Sequence, residues 1–214
     1  MLVLGALALM VLASPRAIFA QGTPDAAALA GRIQARQATI QDFTADFTET
    51  VSSPLLPSTS KERGEIKIKK PGRLRMAYRT GDRNVFVADG KMLYSHFVPD
   101  RYVTQSPLPD AGAAPTWLSF LSGRGDLARD FTARLSDVQP PDEYHLLLTP
   151  RQPQADFASL TLQVDRKSLQ LRGLTVVNTQ RTTNHYRFSN LRENVGVPDR
   201  EFLFQMPRGV VLKK

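Results

Sequence analysis

Three histidines, a group of carboxylates at a Pro-Pro turn and one Gly-Arg-Gly triplet are the residues of this sequence that could carry chemistry. His96, His145 and His185 could ligate a metal or move protons, but they fall on three different predicted strands without metal-ligand spacing. Asp137, Asp142 and Glu143 flank Pro140 and Pro141, where solvated turn carboxylates are expected rather than an acid/base pair. Gly123-Arg124-Gly125 is too short to cradle a phosphate and reads as a break between two short helices. The chain contains no GxSxG, HExxH, GxGxxG or P-loop pattern. It has no cysteine, which excludes thiol catalysis, disulfides and thiolate metal sites. The expectation is a protein that is not an enzyme and needs neither metal nor cofactor.

The stretch "KKPGRLRMAYR" offers a different chemistry, an anion-binding patch of Lys69, Lys70, Arg73, Arg75 and Arg79. Read at period two, however, Leu74, Met76 and Tyr78 share one face and Arg73, Arg75 and Arg79 share the other. That alternation marks a half-buried strand whose basic residues face water. A stacking platform for nucleic acid would need aromatics on the arginine face, so nucleic acid is not an expected partner.

The same alternation recurs along most of the chain and sets the elements that must position these side chains. A helix is expected from Thr23 or Asp25 to about Ile40, followed by a strand in which Phe43, Ala45 and Phe47 alternate with threonines and Asp46. "ERGEIKIKK" places Ile66 and Ile68 opposite Lys67 and Lys69, and Pro71-Gly72 turns the chain. Asp89-Gly90 joins two further strands as a hairpin. "APTWLSFLSGRGDLARDF" reads as two short helices, and strands then run to Phe202–Met206. About eleven strands in hairpin order predict one antiparallel meander rather than a parallel sheet. At 214 residues, 42% hydrophobic and 22% charged, the chain fits a single folded domain, here residues 21–214. Its net charge of +8 suggests approach to anionic surfaces or partners.

Residues 1–13, "MLVLGALALMVLA", form an apolar run too short to span a bilayer and of the length of a signal-peptide core. Small residues follow, with cleavage after Ala20 as one choice, so residues 1–20 are expected to be a leader that directs export.

Two short helices cannot cover the apolar face of so many strands, so part of that face is expected to border a cavity. The candidate lining is Phe43, Phe47, Ile66, Ile68, Leu74, Met76, Phe86 and Met92, with Trp117, Leu118 and Leu121 from the helices. Alternation alone does not separate a cavity wall from an ordinary core.

In order along the chain, "FTADFTETV", "GEIKIKKPGRLRMAY", "VFVADGKMLYSH" and "NLRENVGVPDREFLFQMPRGVV" resemble the motifs of the LolA family of periplasmic outer-membrane lipoprotein carriers. The resemblance implies a mainly β fold: an incomplete, strongly curved antiparallel β-barrel with a lid of short α-helices over a hydrophobic cavity for acyl chains. It implies acylated lipoproteins as cargo, with an ATP-driven inner-membrane complex as donor. It implies a receptor lipoprotein of the outer membrane as acceptor, the periplasm as compartment, a monomer and no enzymatic activity. Two positions depart from the family. Met76 stands where Trp or Phe is usual, and Lys70 where an Arg that latches the lid helices often stands. A flexible Met widens the range of chains a cavity accepts, and a Lys gives a less directional latch. These departures leave open a paralogue that carries another lipid or glycolipid, or that senses mislocalised lipoprotein.

Overall fold

The computed structural model describes residues 24–55, 58–108, 120–123, 125–154 and 157–213. The expected leader, residues 1–20, and the lid residues Trp117 and Leu118 lie outside the described residues. No helix among the described residues is long and apolar enough to cross a membrane.

Helix α1 (Ala26–Ala38) begins where Asp25 accepts the Ala28 N–H at 2.8 Å, the usual role of a capping aspartate. The strands are β1 (Asp42–Ser52), β2 (Ser60–Lys69), β3 (Arg73–Tyr78), β4 (Val85–Asp89), β5 (Met92–Phe97) and β6 (Tyr102–Pro107). The short α2 (Leu127–Asp130) precedes β7 (Phe131–Leu135), β8 (Glu143–Pro150), β9 (Ser159–Asp165), β10 (Leu171–Val177) and β11 (Thr183–Glu193). A 3-10 turn (Asp199–Phe202) and β12 (Val211–Lys213) end the chain.

All twelve strands form one sheet in the order β12-β6-β5-β4-β3-β2-β1-β11-β10-β9-β8-β7. Two hairpin meanders, β1 to β6 and β7 to β11, are joined side by side through β1 and β11, and β7 and β12 are the two edges. The sheet is therefore an open one, as an incomplete barrel requires. It has one strand more than the sequence suggested, and Phe202–Met206 is not a strand. That segment starts in the 3-10 turn, and the added strand β12 pairs parallel with β6.

The inner face gathers one apolar cluster from both meanders and from α1, whose Leu29 and Ile33 are fully buried. An aromatic row crosses this face: Tyr186, Phe47, Tyr78, Phe86, Phe97 and Tyr102, with successive ring centroids 4.8–6.2 Å apart. Most of these contacts are edge-to-face, the arrangement that ring quadrupoles favour. Phe47 on β1 and Tyr78 on β3 touch because Gly64 stands between them in register on β2. A Cβ on Gly64 would overlap the Phe47 ring and the Ala77 carbonyl. Glycine weakens a strand by itself, and the ring that covers it offsets that weakness.

The outer face is not uniformly wet. After β11 the chain turns back, with buried Asp42 accepting the N–H groups of Val195 and Gly196 at 2.8 and 3.1 Å. It then crosses the outer side of β3 and β4 as a strap. Lys69 and Arg73 hold Asp199 at 2.6 and 2.8 Å, and Lys67 holds Glu201 at 2.8 Å. Phe202 is buried beneath the strap, as is Val87 on the outer side of β4, and Phe204 stacks on Tyr94 at 4.9 Å. The reading that Lys69 and Arg73 simply face water is thus corrected: they are half-buried tethers. Arg79 alone of that group stays mostly exposed, bridging Asp46 and Glu65.

Gly64→Ala is expected to destabilise the protein by about 2 kcal/mol, the usual cost of forcing extra volume into a packed core. Thermal unfolding measures it, and a second change of Phe47→Leu should restore part of the loss. A Gly64→Ala protein that melts like the parent would show that the glycine is not needed for the Phe47–Tyr78 contact.

Candidate ligand-binding face

Phe43, Phe47, Ile66, Ile68, Leu74 and Met76 all point to the inner face and are at most 5% exposed. Leu121 joins them from the lid side, and Phe86 packs against the cluster while staying half-buried. Leu74 is 3% exposed and lies inside the cluster. Met92 is the one described candidate on the wrong face. Ala88 pairs with Leu93 across the β4–β5 hairpin, so Leu93 points inward and Met92 shares the outer face with Tyr94. The two-residue hairpin after Asp89 shifts the alternation by one from what the sequence suggested.

Half of the inner face was missed. Leu146, Leu148, Leu160, Leu162 and Leu174, from β8, β9 and β10, are buried in the same cluster. They carry the same period-two signal as Ile66 and Ile68 and could have been found by it.

One end of the inner face is polar. Glu49 and Tyr186 pair across β1 and β11, and the Tyr78 hydroxyl donates to Glu49 Oε2. Burial, reinforced by the Glu49 charge, pushes the Tyr78 hydroxyl far above its ordinary pKa, and burial does the same to Tyr186. Glu62 lies opposite Glu49 on β2, and burial together with the Glu49 and Asp82 charges raises its pKa. The apolar inner face therefore ends in a band of hydrogen-bonding groups.

The other end is closed by α1 and the Phe120–Gly123 segment. Gln34 joins α1 to α2, accepting the Leu127 N–H at 3.1 Å. Arg36 forks onto Glu193 at 3.0 and 2.7 Å and onto the Ser168 carbonyl at 2.7 Å. Lys70, at the β2–β3 corner, donates from its ammonium to the Gln37 carbonyl in the last turn of α1. Its stem lies against Gly123, where a Cβ would come within 2.6 Å of Lys70 Cδ, and Gly123 has a φ of +77°. The Gly72 N–H, next to that corner, donates to the Ser122 carbonyl at 3.1 Å. Burial pulls the Lys70 pKa below its ordinary value, with the Glu193 charge opposing the shift. A cleft of about 260 Å³ lies beside this latch, lined by Gln34, Gln37, Ala38, Gln41, Phe120 and Lys70 among others. Lys70 thus lies between the last turn of α1 and Gly123, touching both.

His145 and His185 lie on the outer side of the sheet. His145 contacts Glu143, itself paired with Arg187, and His185 bonds to Thr175 at 2.8 Å beside Gln163. Among the described residues no three His, Asp or Glu side chains are placed to hold a metal.

The chain resembles known proteins along nearly its whole length. The sequence profile described as "Outer membrane lipoprotein carrier protein LolA" matches residues 38–205. An outer-membrane lipoprotein carrier protein of Bordetella avium is 27% identical over 213 residues, 99% of this chain and 96% of the relative. One of Pasteurella multocida is 26% identical, with 86% and 85% covered. An uncharacterized conserved protein of Thermus thermophilus shares the fold at a TM-score of 0.54 and 10% identity, over 86% of this chain and 98% of that one. A DUF1329 family protein of Desulfovibrio piger does so at 0.50 and 13%, over 84% and 98%. With an open twelve-stranded sheet around one apolar inner face and a matched profile over most of its residues, the chain belongs to the LolA family of outer membrane lipoprotein carrier proteins.

Proposed function

We propose that this protein is a periplasmic carrier that holds the acyl chains of lipoproteins against its inner face. It would take them from an ATP-driven inner-membrane complex and deliver them to a receptor lipoprotein of the outer membrane. The observation that carries the reading is the apolar inner face, which runs through both meanders and is closed at one end by a lid held by polar contacts. Each CH2 moved out of water contributes about 0.8 kcal/mol, so a lipoprotein with two or three chains does not leave a membrane without an apolar surface to enter. The inner face would supply that surface once α1 and the Phe120–Gly123 segment part from β2 and β3. No step of this cycle is catalysed by the carrier. The protein consumes no energy of its own, so the donor must drive loading and the receptor must bind the cargo more tightly. Met76 favours a second cargo class, a free lipid or glycolipid, because a flexible side chain stands among otherwise branched and aromatic neighbours.

Two outcomes are expected. Phe86→Glu places a charge on the half-buried part of the inner face, where water reaches it in the unloaded protein. Desolvating an unpaired carboxylate against acyl chains costs several kcal/mol, so retention of a triacylated lipopeptide should fall at least about tenfold with a nearly normal melting temperature. The same charge at the exposed Gln105 should leave retention intact. Equal retention by both variants would remove the inner face as the cargo site. For the latch, Lys70→Met should speed hydrogen exchange in the last turn of α1 and quicken lipopeptide uptake, while Lys70→Arg should restore both. Unchanged exchange in Lys70→Met would show that α1 is held by its other contacts alone.

A further inference from the structure

The strap leaves an outer surface with a composition unlike the rest of the protein. Its carboxylates are paired with cations of the sheet: Asp199, itself mostly exposed, with Lys69 and Arg73, and Glu201 with Lys67. Its cations are not. Among the described residues neither Arg200 nor Arg75 forms an ion pair, and both line a groove of about 530 Å³ between the strap and β3 to β5. His96, Glu201, Leu203, Phe204 and Pro207 line the same groove, where the Lys67 ammonium, aided by the Arg75 and Arg200 charges, holds the Glu201 carboxylate below its ordinary pKa. Seven large apolar side chains are exposed among the described residues, and four of them fall within the strap and β12: Leu203, Met206, Val211 and Leu212, at 62, 45, 62 and 42%. Arg208 and Lys213 are interspersed with them.

We propose that this strap face docks the protein onto an anionic lipid bilayer, with a lipid phosphate seated between Arg75 and Arg200 and with Leu203 and Met206 entering the headgroup layer. Guanidinium groups suit phosphate because their fork matches its oxygens, and a surface rich in basic and apolar residues, whose carboxylates Asp199 and Glu201 are each ion-paired, is what an anionic interface attracts. The charge argument selects lipid over a basic or neutral partner. Lys67, Lys69 and Arg73 offset the charges of Asp199 and Glu201, so Arg75, Arg200, Arg208 and Lys213 leave this face net positive. Docking by the outer side of the sheet leaves the inner face and its lid free, so it is a separate property from cargo binding.

The test is flotation of the full chain, without cargo, with vesicles of phosphatidylcholine alone or mixed with phosphatidylglycerol. The apolar run at residues 1–13 is present in every variant, so the comparison between variants is the readout. The protein should bind the anionic vesicles, with binding falling at least about tenfold in high salt. A similar fall is expected for Arg75→Gln with Arg200→Gln, and a partial fall for Leu203→Asp alone, which sits on the surface and leaves the melting temperature unchanged. Phe86→Glu should bind vesicles like the parent, whatever its effect on cargo. Binding that is equal on neutral and anionic vesicles, or unaffected by the arginine changes, overturns the proposal. So does binding of inorganic phosphate in the groove without any binding of vesicles, which would make it a site for a soluble anion.

Discussion

The ladder between β1 and β11 is the interaction on which the rest of the structure depends. Among the described residues it joins the only two strands that connect the meanders, pairing Phe47 with Phe188, Glu49 with Tyr186 and Val51 with Asn184. All other antiparallel pairings link strands that are neighbours in sequence. Closing this one pairing over so long a loop costs chain entropy, and the reward is a single continuous inner face. The apolar cluster, the aromatic row and the polar band at Glu49 all cross that seam. The C-terminal strap is positioned by it too, because Asp42, at the start of β1, binds the backbone just beyond β11.

Two kinds of contact divide the work around the sheet. Hydrophobic burial acts inside, where it is non-directional and tolerates a change of occupant. Directional polar contacts act where separate pieces meet: Lys70 and Gly72 bond to α1 and the Phe120–Gly123 segment, Arg36 anchors α1, and Lys67, Lys69 and Arg73 fix the strap. A lid held only by apolar packing would compete with acyl chains for the same driving force. Here both act: Leu29, Ile33, Phe120 and Leu121 are buried in the cluster, so opening exposes apolar surface that cargo would have to cover, while a few hydrogen bonds orient these pieces. The basic corner "KKPGR" therefore serves both sides of the sheet, with Lys70 turned to the lid and Lys69 and Arg73 to the strap.

Much of this was legible from the sequence. Period-two alternation predicted an antiparallel meander and a shared face for Phe47, Ile66, Ile68, Leu74 and Met76, because a strand with one buried face has no other way to hide them, while the incomplete barrel came from the family resemblance. What was not legible followed from contacts distant in sequence. Met92 was misplaced because one short hairpin reverses the phase of a strand. The alternation of lysine and arginine on β2 and β3 reads as a wet face, and only the return of Asp199 and Glu201 turns it into a tether. Phe202 to Met206 has strand composition, yet Asp199 and the buried Phe202 hold it in a turn against β3 and β4. The polar band at Glu49 was hidden in the same way, since Glu49, Tyr78 and Tyr186 lie on three strands that meet only in the folded sheet.

Met76 and Met92 make the most direct measurement possible, because they are chemically alike and lie on opposite faces of one sheet, on β3 and β5 with β4 between them. A photo-crosslinking methionine analogue placed at each position in turn, followed by irradiation with a bound triacylated lipopeptide, reads which face touches the acyl chains. The account predicts crosslinks from position 76 to the acyl chains and none from position 92. Crosslinks from position 92 alone, or equal yields from both, would contradict an inner-face cargo site.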